Sequence, residues 1–485
     1  MPDDVVGSLR SQWGNPSDIL SLLLLIGGDI VQKAIAQLVG YTIRPFGKNS
    51  PRIGITPVAF SFGWVAYAFT NLLSATGDKK LMPLSDCPAI VVNCANGSPR
   101  VNQSWVLGRL LRDYETHHEV DPTILPNSHF PSSSPTGRAE SIRIDIFELG
   151  VPSKPILDFV WWLGWVTIIA QLAISLIPLI LNNNWGVTMV VLCGNSLALI
   201  TCALPQWREE KWAGRTLNSE NVTCITRGNG HLHIMVIIGR IGSWNVETLA
   251  TANPAPRPET PIISLILAVL WTALLISVSG LKEHAWYLVC IGGTGMLQNV
   301  FAAGKAREPS ASNFYLTRFP RMPTIIGKRQ NHIDDGESHV DIDETQAEIS
   351  ELSEWLLSFR QPVSDTRTPM PEWIDSMDSR DGAPTWLEPL RANKLNEIAN
   401  TQGALQELEK WVPTAGLAMM QIFFPSSLRY EEDHTRYNVQ KKFWKRAYYT
   451  KDQRREAEDK RREAERARMN GDICQGSTFS SQPEV

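Results

Sequence analysis

The stretch FVWWLGWVTIIAQLAISLIPLILNNNWGVTMVVLCGNSLALITCALP, residues 159–205, decides the class of this protein. Phe159 to Leu181 and Trp185 to Pro205 hold no charged residue, and only Asn182, Asn183 and Asn184 separate them. Residues 261–304 repeat the arrangement: Pro261 to Leu281 and Ala285 to Gly304 flank Lys282, Glu283 and His284. An apolar run of about 20 residues matches the hydrocarbon thickness of a bilayer. A three-residue link folds each pair into an antiparallel hairpin. Working outward, Gly54 to Thr76 reads as another span, and residues 18–41 as a first one that contains Asp29 and Lys33. The expected fold class is an all-α membrane bundle of six spans in three hairpins, or five if the first segment lies in the interface. A small cytosolic α+β domain and a charged, helical C-terminal tail complete it.

This divides the chain into a first membrane hairpin (1–76), a cytosolic link (77–157), a second hairpin (158–205), a second link (206–260), a third hairpin (261–304) and a tail (305–485). In the first link, Ala89 to Val92 suits a strand. Asn102 can cap a helix running to about Glu115, with Val106, Leu107, Leu110, Leu111 and Tyr114 on its apolar side. Residues 121–138, rich in Pro and Ser, read as mobile. Ile142, Ile144 and Ile146 alternate with Arg143 and Asp145, as in a half-buried strand. In the second link, Val222 to Thr226 and Leu232 to Ile238 flank the turn Arg227-Gly228-Asn229-Gly230, a hairpin signal. Asn245 looks like the cap of a short helix ending near Ala250. An isolated hairpin is marginal in water, so both links are expected to build one domain together.

The tail opens with an acidic segment, 328–350, read as a mobile linker. Two apolar stripes at helical spacing follow: Ile349, Leu352, Leu356 and Phe359, then Leu395, Ile398, Leu405, Leu408 and Trp411. Residues 414–424 are apolar but too short to span. Residues 451–468 carry mixed charges that favour a solvated helix.

A mean hydropathy of -0.14 looks soluble because polar links and tail dilute the spans. The formal net charge of -4 gives no reason to expect a nucleic-acid partner. Asp3 and Asp4 stand where a secretory signal peptide has a basic start, so none is expected. Among seven cysteines, Cys193, Cys202 and Cys290 lie in apolar segments, and Cys87 and Cys94 are near enough in sequence to pair in an oxidising compartment. Ten Lys and Arg (Lys79, Lys80, Arg143, Lys154, Arg208, Lys211, Arg215, Arg257, Lys305, Arg307) fall on one side of the spans, against Arg44, Lys48, Arg52 and Lys282 on the other. The richer side, with the C-terminus, is therefore expected in the cytosol. Trp161, Trp162, Trp165, Trp207 and Trp212 gather at that interface, and Trp185 and Trp286 at the opposite one, as an aromatic belt requires. Sequons at Asn96, Asn102 and Asn221 argue the other way.

Candidate sites are few. Asp29 and Lys33 stand one helical turn apart, acid before base, which suits an intrahelical ion pair. Gln171, Asn195, Gln298 and Asn299 reach similar depth, and together the six form a candidate intramembrane polar cluster. Such a cluster serves either a solute pathway or interhelical hydrogen bonding. Lys441, Lys442, Phe443, Trp444, Lys445 and Arg446 form a basic-aromatic stretch that suits an anionic membrane surface, or an ordinary helix contact. Small residues at four-residue spacing (Gly194, Ala198, Cys202; Ala59, Gly63) suit close helix approach. Gly292-Gly293-Thr294-Gly295 lacks the Walker spacing and reads as helix packing. His231 and His233 offer too few ligands for a zinc site. No metal, cofactor or catalytic signature is expected.

WGNPSDIL at 13–20, GGDIVQK at 27–33, PVAFSFGW at 57–64, TRGNG at 226–230 and LEKWVP at 408–413 resemble a family of uncharacterised multi-pass membrane proteins of filamentous fungi. The resemblance covers most of the chain outside the segments read as mobile. It implies a fungal membrane setting and carries over no functional residue. The three-hairpin mitochondrial carriers are not matched, because their Pro-x-Asp/Glu-x-x-Lys/Arg signature is absent. The expected function is a non-enzymatic scaffold or regulator working through its cytosolic parts, with the bilayer, cytosolic proteins or a second copy as partners. A small-solute or ion transporter is the first alternative, and a membrane-embedded enzyme the second.

Overall fold

A computed structural model describes residues 27–44, 52–117, 140–253, 256–281, 285–319, 323–328 and 398–425, with Trp444, Ala447, Tyr448, Asp452, Glu456 and Lys460. Helix α1 (Gly28–Leu38) leads into a short hairpin of β1 (Thr42–Ile43) and β2 (Ile53–Gly54). Residues 55–63 follow without regular structure, then α2 (Trp64–Thr76). Strands β3 (Ile90–Asn93) and β4 (Pro99–Val101), helix α3 (Trp105–His117) and strand β5 (Glu140–Leu149) lead to a helical hairpin, α4 (Phe159–Asn182) and α5 (Gly186–Cys202). A short helix, α6 (Pro205–Lys211), turns the chain into β6 (Asn221–Thr226), β7 (His233–Gly239) and α7 (Val246–Thr251). The second helical hairpin is α8 (Glu259–Gly280) and α9 (Ala285–Gly304). Strands β8 (Leu316–Arg318), β9 (Thr324–Lys328) and β10 (Ile398–Ala399) and helices α10 (Asn400–Trp411) and α11 (Ala415–Phe423) follow.

The expected six-span bundle, or its five-span variant, does not form. Among the described residues two helices, α4 and α8, are long and apolar enough to cross a membrane. A third qualifies if α5 and α6, bent by 45° at their junction, count as one. Helix α5 alone stops at 17 residues. Helix α9 has 20, but Gln298, Asn299 and its glycines dilute its apolar character. Segments 18–41 and 54–76 fail for another reason. Of the first, α1 supplies 11 residues, roughly 16 Å of rise, about half a bilayer core. In the second, the helix begins only at Trp64.

Residues 27–41 and 55–76 run between the middle and one end of the helical layer; residues 18–26 lie outside the described residues. Gly27 and Gly63 lie against each other, with Met296 of α9 over Gly27, while Val39 at the other end of α1 accepts a bond from Lys211. The Ile55 amide donates to Tyr41 at that same end. From there residues 55–63 climb to mid-layer, and α2 returns, with Asn71 bonded to Ser264 near the start of α8. Residues 55–76 thus enter and leave the helical layer from the same end.

Strands β3 to β10 form one mixed eight-stranded sheet of order β10-β9-β5-β7-β6-β3-β4, with β8 also on β5. Strands β5 and β7 are parallel, with Ile144 opposite Ile234. The ten residues of β5 hold β9 along one half and β8 along the other. Both faces are covered. Ile142, Ile144, Ile146, Val236 and Ile238 pack under Leu405, Leu408 and Met419 of α10 and α11. Ile225, Met235 and Ile237 turn the other way, into the core that α3 and the helical layer share. Burial on both sides explains why β7 is an unbroken apolar run rather than an alternating one. The sheet exceeds the small domain expected because the stretch after residue 305 supplies three strands and two covering helices. The stripe 349–359 and the linker 329–350 lie outside the described residues.

Asn245 caps α7, accepting from the Thr248 amide at 3.1 Å. Trp207 is fully buried and belongs to the core, not to an aromatic belt, whereas Trp162, Trp185 and Trp286 are exposed. Cys94 does not meet Cys87. Its sulfur lies 3.3 Å from that of Cys224 on the neighbouring strand, and both are buried thiols.

Candidate functional site

The most unusual feature is the irregular backbone of residues 59–61 in the middle of the helices. Non-helical backbone is tolerated at membrane depth only where protein or water satisfies its polar groups. Here four side-chain amides do so. Gln171 of α4 donates to Phe60 O at 2.7 Å and to Ile291 O at 2.9 Å. Asn195 of α5 accepts from Phe60 N at 3.1 Å and donates to Gln171 Oε1 at 3.2 Å. Gln298 of α9 accepts from Ala59 N at 3.2 Å. Asn299 donates to Ser61 Oγ at 2.7 Å and more weakly to Ala59 O, which also accepts from the Trp64 indole. All four amide side chains are buried.

Glycines make room for this irregular segment. A Cβ on Gly295 would overlap the Phe60 carbonyl, and one on Gly164 the Pro57 carbonyl. Gly194 lies against the Phe60 ring and Gly292 against the Phe62 ring. Their small size serves contact with this segment rather than the helix-to-helix contact read from sequence. Phe60 and Trp64 stack on Trp271 of α8 at 6.1 and 5.3 Å, closing the site from that side.

Asp29 and Lys33 take no part. Both are exposed on α1, and no ion pair joins them. The structure therefore brings together Gln171, Asn195, Gln298 and Asn299 and leaves out the two charged members. Of the tail stretch, Trp444 is described and is 5% exposed, packed with α10 and α11 rather than at a membrane surface. Lys441, Lys442, Phe443, Lys445 and Arg446 lie outside the described residues. His233 packs edge-on against Tyr114 while His231 is exposed. Among the described residues no group of three or more His, Cys, Asp or Glu is placed to hold a metal.

A second constellation, missed in sequence, joins the helical layer to the sheet. Arg307, just past α9, binds Asp158 at the start of α4 and also the carbonyl of Gln37 near the end of α1. Lys211 Nζ donates to Gln37 O at 3.1 Å and Val39 O at 2.8 Å. Arg109 and Arg112 of α3 share Asp86 and Asp113 and reach Lys305 O and Gly304 O. Cations thus cap the C-termini of α1 and α9, where the helix dipole favours them. Burial, then the neighbouring Arg307, pushes the Lys211 amine well below the ordinary lysine range. Beside it, Glu210 accepts from the Leu81 and Met82 amides and from Gln206, and burial raises its carboxyl. The available signal was that these charges sit within a few residues of each apolar run.

Comparison with known proteins finds no matching family, no similar curated protein and no solved structure of similar fold.

Proposed function

We propose that this is an integral membrane protein acting as a scaffold or regulator, with its sheet domain and C-terminal part in the cytosol. The carrying observation is how its polar and apolar groups are distributed. On α4 and α8 the outward residues are large and apolar: Val166, Ile169 and Ile180, and Leu265, Val269 and Ile276, are all more than half exposed. Gln171, Ser175, Thr260 and Ser264 point inward and are buried. Apolar outside and polar inside suits lipid, not water, around these helices. On this reading α4 and α8 cross the bilayer, and α5 and α9 return the chain beside them. The basic residues of the junction then favour the cytosolic side for the sheet domain. Arg52, beside Arg208 at the sheet end, adds to that side rather than opposing it. Asn102, one of the sequon residues, is buried and bonded to Ser85 and Ser104, which suits an unglycosylated side.

The scaffold reading is supported by what the interior amides bind. They hold the protein's own backbone at 59–61. Alkaline carbonate extraction tests the membrane part, since release into the supernatant would overturn it. The scaffold part is tested by vesicles carrying the purified chain, mixed with cytosol. Reproducible protein recruitment, lost when residues 398–485 are removed, is the expected result. Consistent failure to recruit would reject it.

One observation favours a transporter instead. Irregular backbone at mid-bundle is where many transporters bind solutes, and Gln298 Nε2 and Asn299 Oδ1 have no hydrogen-bond partner among the described residues. Solute flux into vesicles that disappears in Gln298→Leu would establish that reading.

A further inference from the structure

At the sheet end of α5 the surface has a narrow, shallow cleft between the β1–β2 hairpin and the bend joining α5 to α6. Arg52 of the hairpin and Arg208 of α6 both line it, with Tyr41 and Thr42. Neither guanidinium forms an ion pair among the described residues. The adjacent carboxylate, Glu209, is engaged by Arg257 at 2.6 and 2.7 Å. Two arginines of separate elements therefore line one cleft without an ion pair of their own.

The surroundings define the ligand. Ile43 and Ile53 on the hairpin are 37% and 42% exposed, and Ile200, about one turn back along α5, is 53% exposed. The cleft thus lies where the apolar surface of α5 ends and charge begins, which is headgroup depth for a helix in a bilayer. Guanidinium groups bind phosphate oxygens through paired N–H donors. Basic pockets at the cytosolic ends of membrane helices suit acidic lipid headgroups.

We propose that this cleft seats the phosphodiester of an anionic phospholipid between Arg52 and Arg208, with its acyl chains lying along α5 beside Ile200. The inference rests on the membrane reading above, and its test is separate from carbonate extraction. The full chain, purified in mild detergent, is offered phosphatidylglycerol or phosphatidylcholine and examined by native mass spectrometry. Retention of phosphatidylglycerol over phosphatidylcholine is expected. It should fall about tenfold in Arg52→Gln/Arg208→Gln, and partly in Arg52→Gln alone, where an exposed side chain leaves the fold unaffected. Equal retention by wild type and both variants would overturn the proposal. Thermal shifts with millimolar inorganic phosphate separate the two sources of the same chemistry. A stabilisation lost in the variants, without any lipid preference, would mean a free-phosphate site and would also overturn it.

Discussion

Arg307 grips both oxygens of Asp158, through Nε and Nη2, each at 2.7 Å. The same carboxylate caps α4 by accepting from the Trp161 amide at 3.1 Å. The Arg307 side chain is 3% exposed, so its charge relies on this partner. Arg307→Met should cost about 3–5 kcal/mol by leaving a carboxylate without its counter-ion. Asp158→Asn keeps an N-cap but leaves the buried guanidinium without its counter-ion, and should cost a similar amount. The double variant should lose less than the sum of the singles when melting is followed by tryptophan fluorescence. Strict additivity would mean the two act independently.

Gln171 ties the irregular segment to a second helix, donating to Phe60 O and to Ile291 O of α9. Gln171→Leu should destabilise by about 1–3 kcal/mol, since buried acceptors lose their donor. That exceeds the ~0.6 kcal/mol typical of a hydrogen bond between membrane helices. Gly295→Ala should do the same by overlap with Phe60, at about 1–3 kcal/mol. In both variants protease should cut within 55–63 faster than in wild type. Unchanged cleavage would show that the segment does not depend on these contacts.

Asp29 and Lys33, in contrast, should act independently. Both are exposed on α1 and unpaired with each other, so neither depends on the other. Asp29→Asn gives up a favourable place in the first turn of α1, worth at most about 1 kcal/mol. Their effects should add. A coupling energy beyond error in the Asp29→Asn/Lys33→Met cycle would contradict the arrangement.

Glu210 gives the protein a pH dependence of definite sign. Burial raises its folded-state pKa above the unfolded value of 4.5. Between those two values the folded state binds more protons. Its contribution to stability is therefore complete below pH 4.5 and declines as pH rises through the folded pKa. Melting temperatures should show this decline in wild type relative to Glu210→Gln, whose side chain does not titrate. Parallel curves for the two proteins would refute it.

Local signals in the sequence located the sheet strands well. The alternation of Ile142, Ile144 and Ile146, the turn at 227–230 and the cap at Asn245 each depend on neighbours within a few residues, and each element forms where its signal lies. The apolar segments were harder. Residues 54–76 have the composition of a span, but hydropathy records composition, not backbone conformation. Pro57, which lacks an amide hydrogen, was the local hint that the first half is not helical. Gly164, Gly194 and Gly295 on three helices signalled close approach, yet their partner is an irregular segment more than a hundred residues earlier. The amides were recognised as a polar group, but nothing local distinguishes an amide that lines a path from one that binds backbone. Strands β8 to β10, of two to five residues, carry too little pattern to be read at all.

The irregular segment also sets an order of events at the ribosome. Its amides and carbonyls are satisfied by side chains 111, 135 and 239 residues further along the chain. At about 5–20 residues per second, Ala59 is made roughly 12–48 s before Gln298 exists. Residues 55–63 therefore cannot take their final place as they emerge. On the membrane reading proposed above, the segment waits outside the helical layer until α9 has been made. Its docking is directed by α4, α5 and α9, while the last strands of the sheet are still to be synthesised.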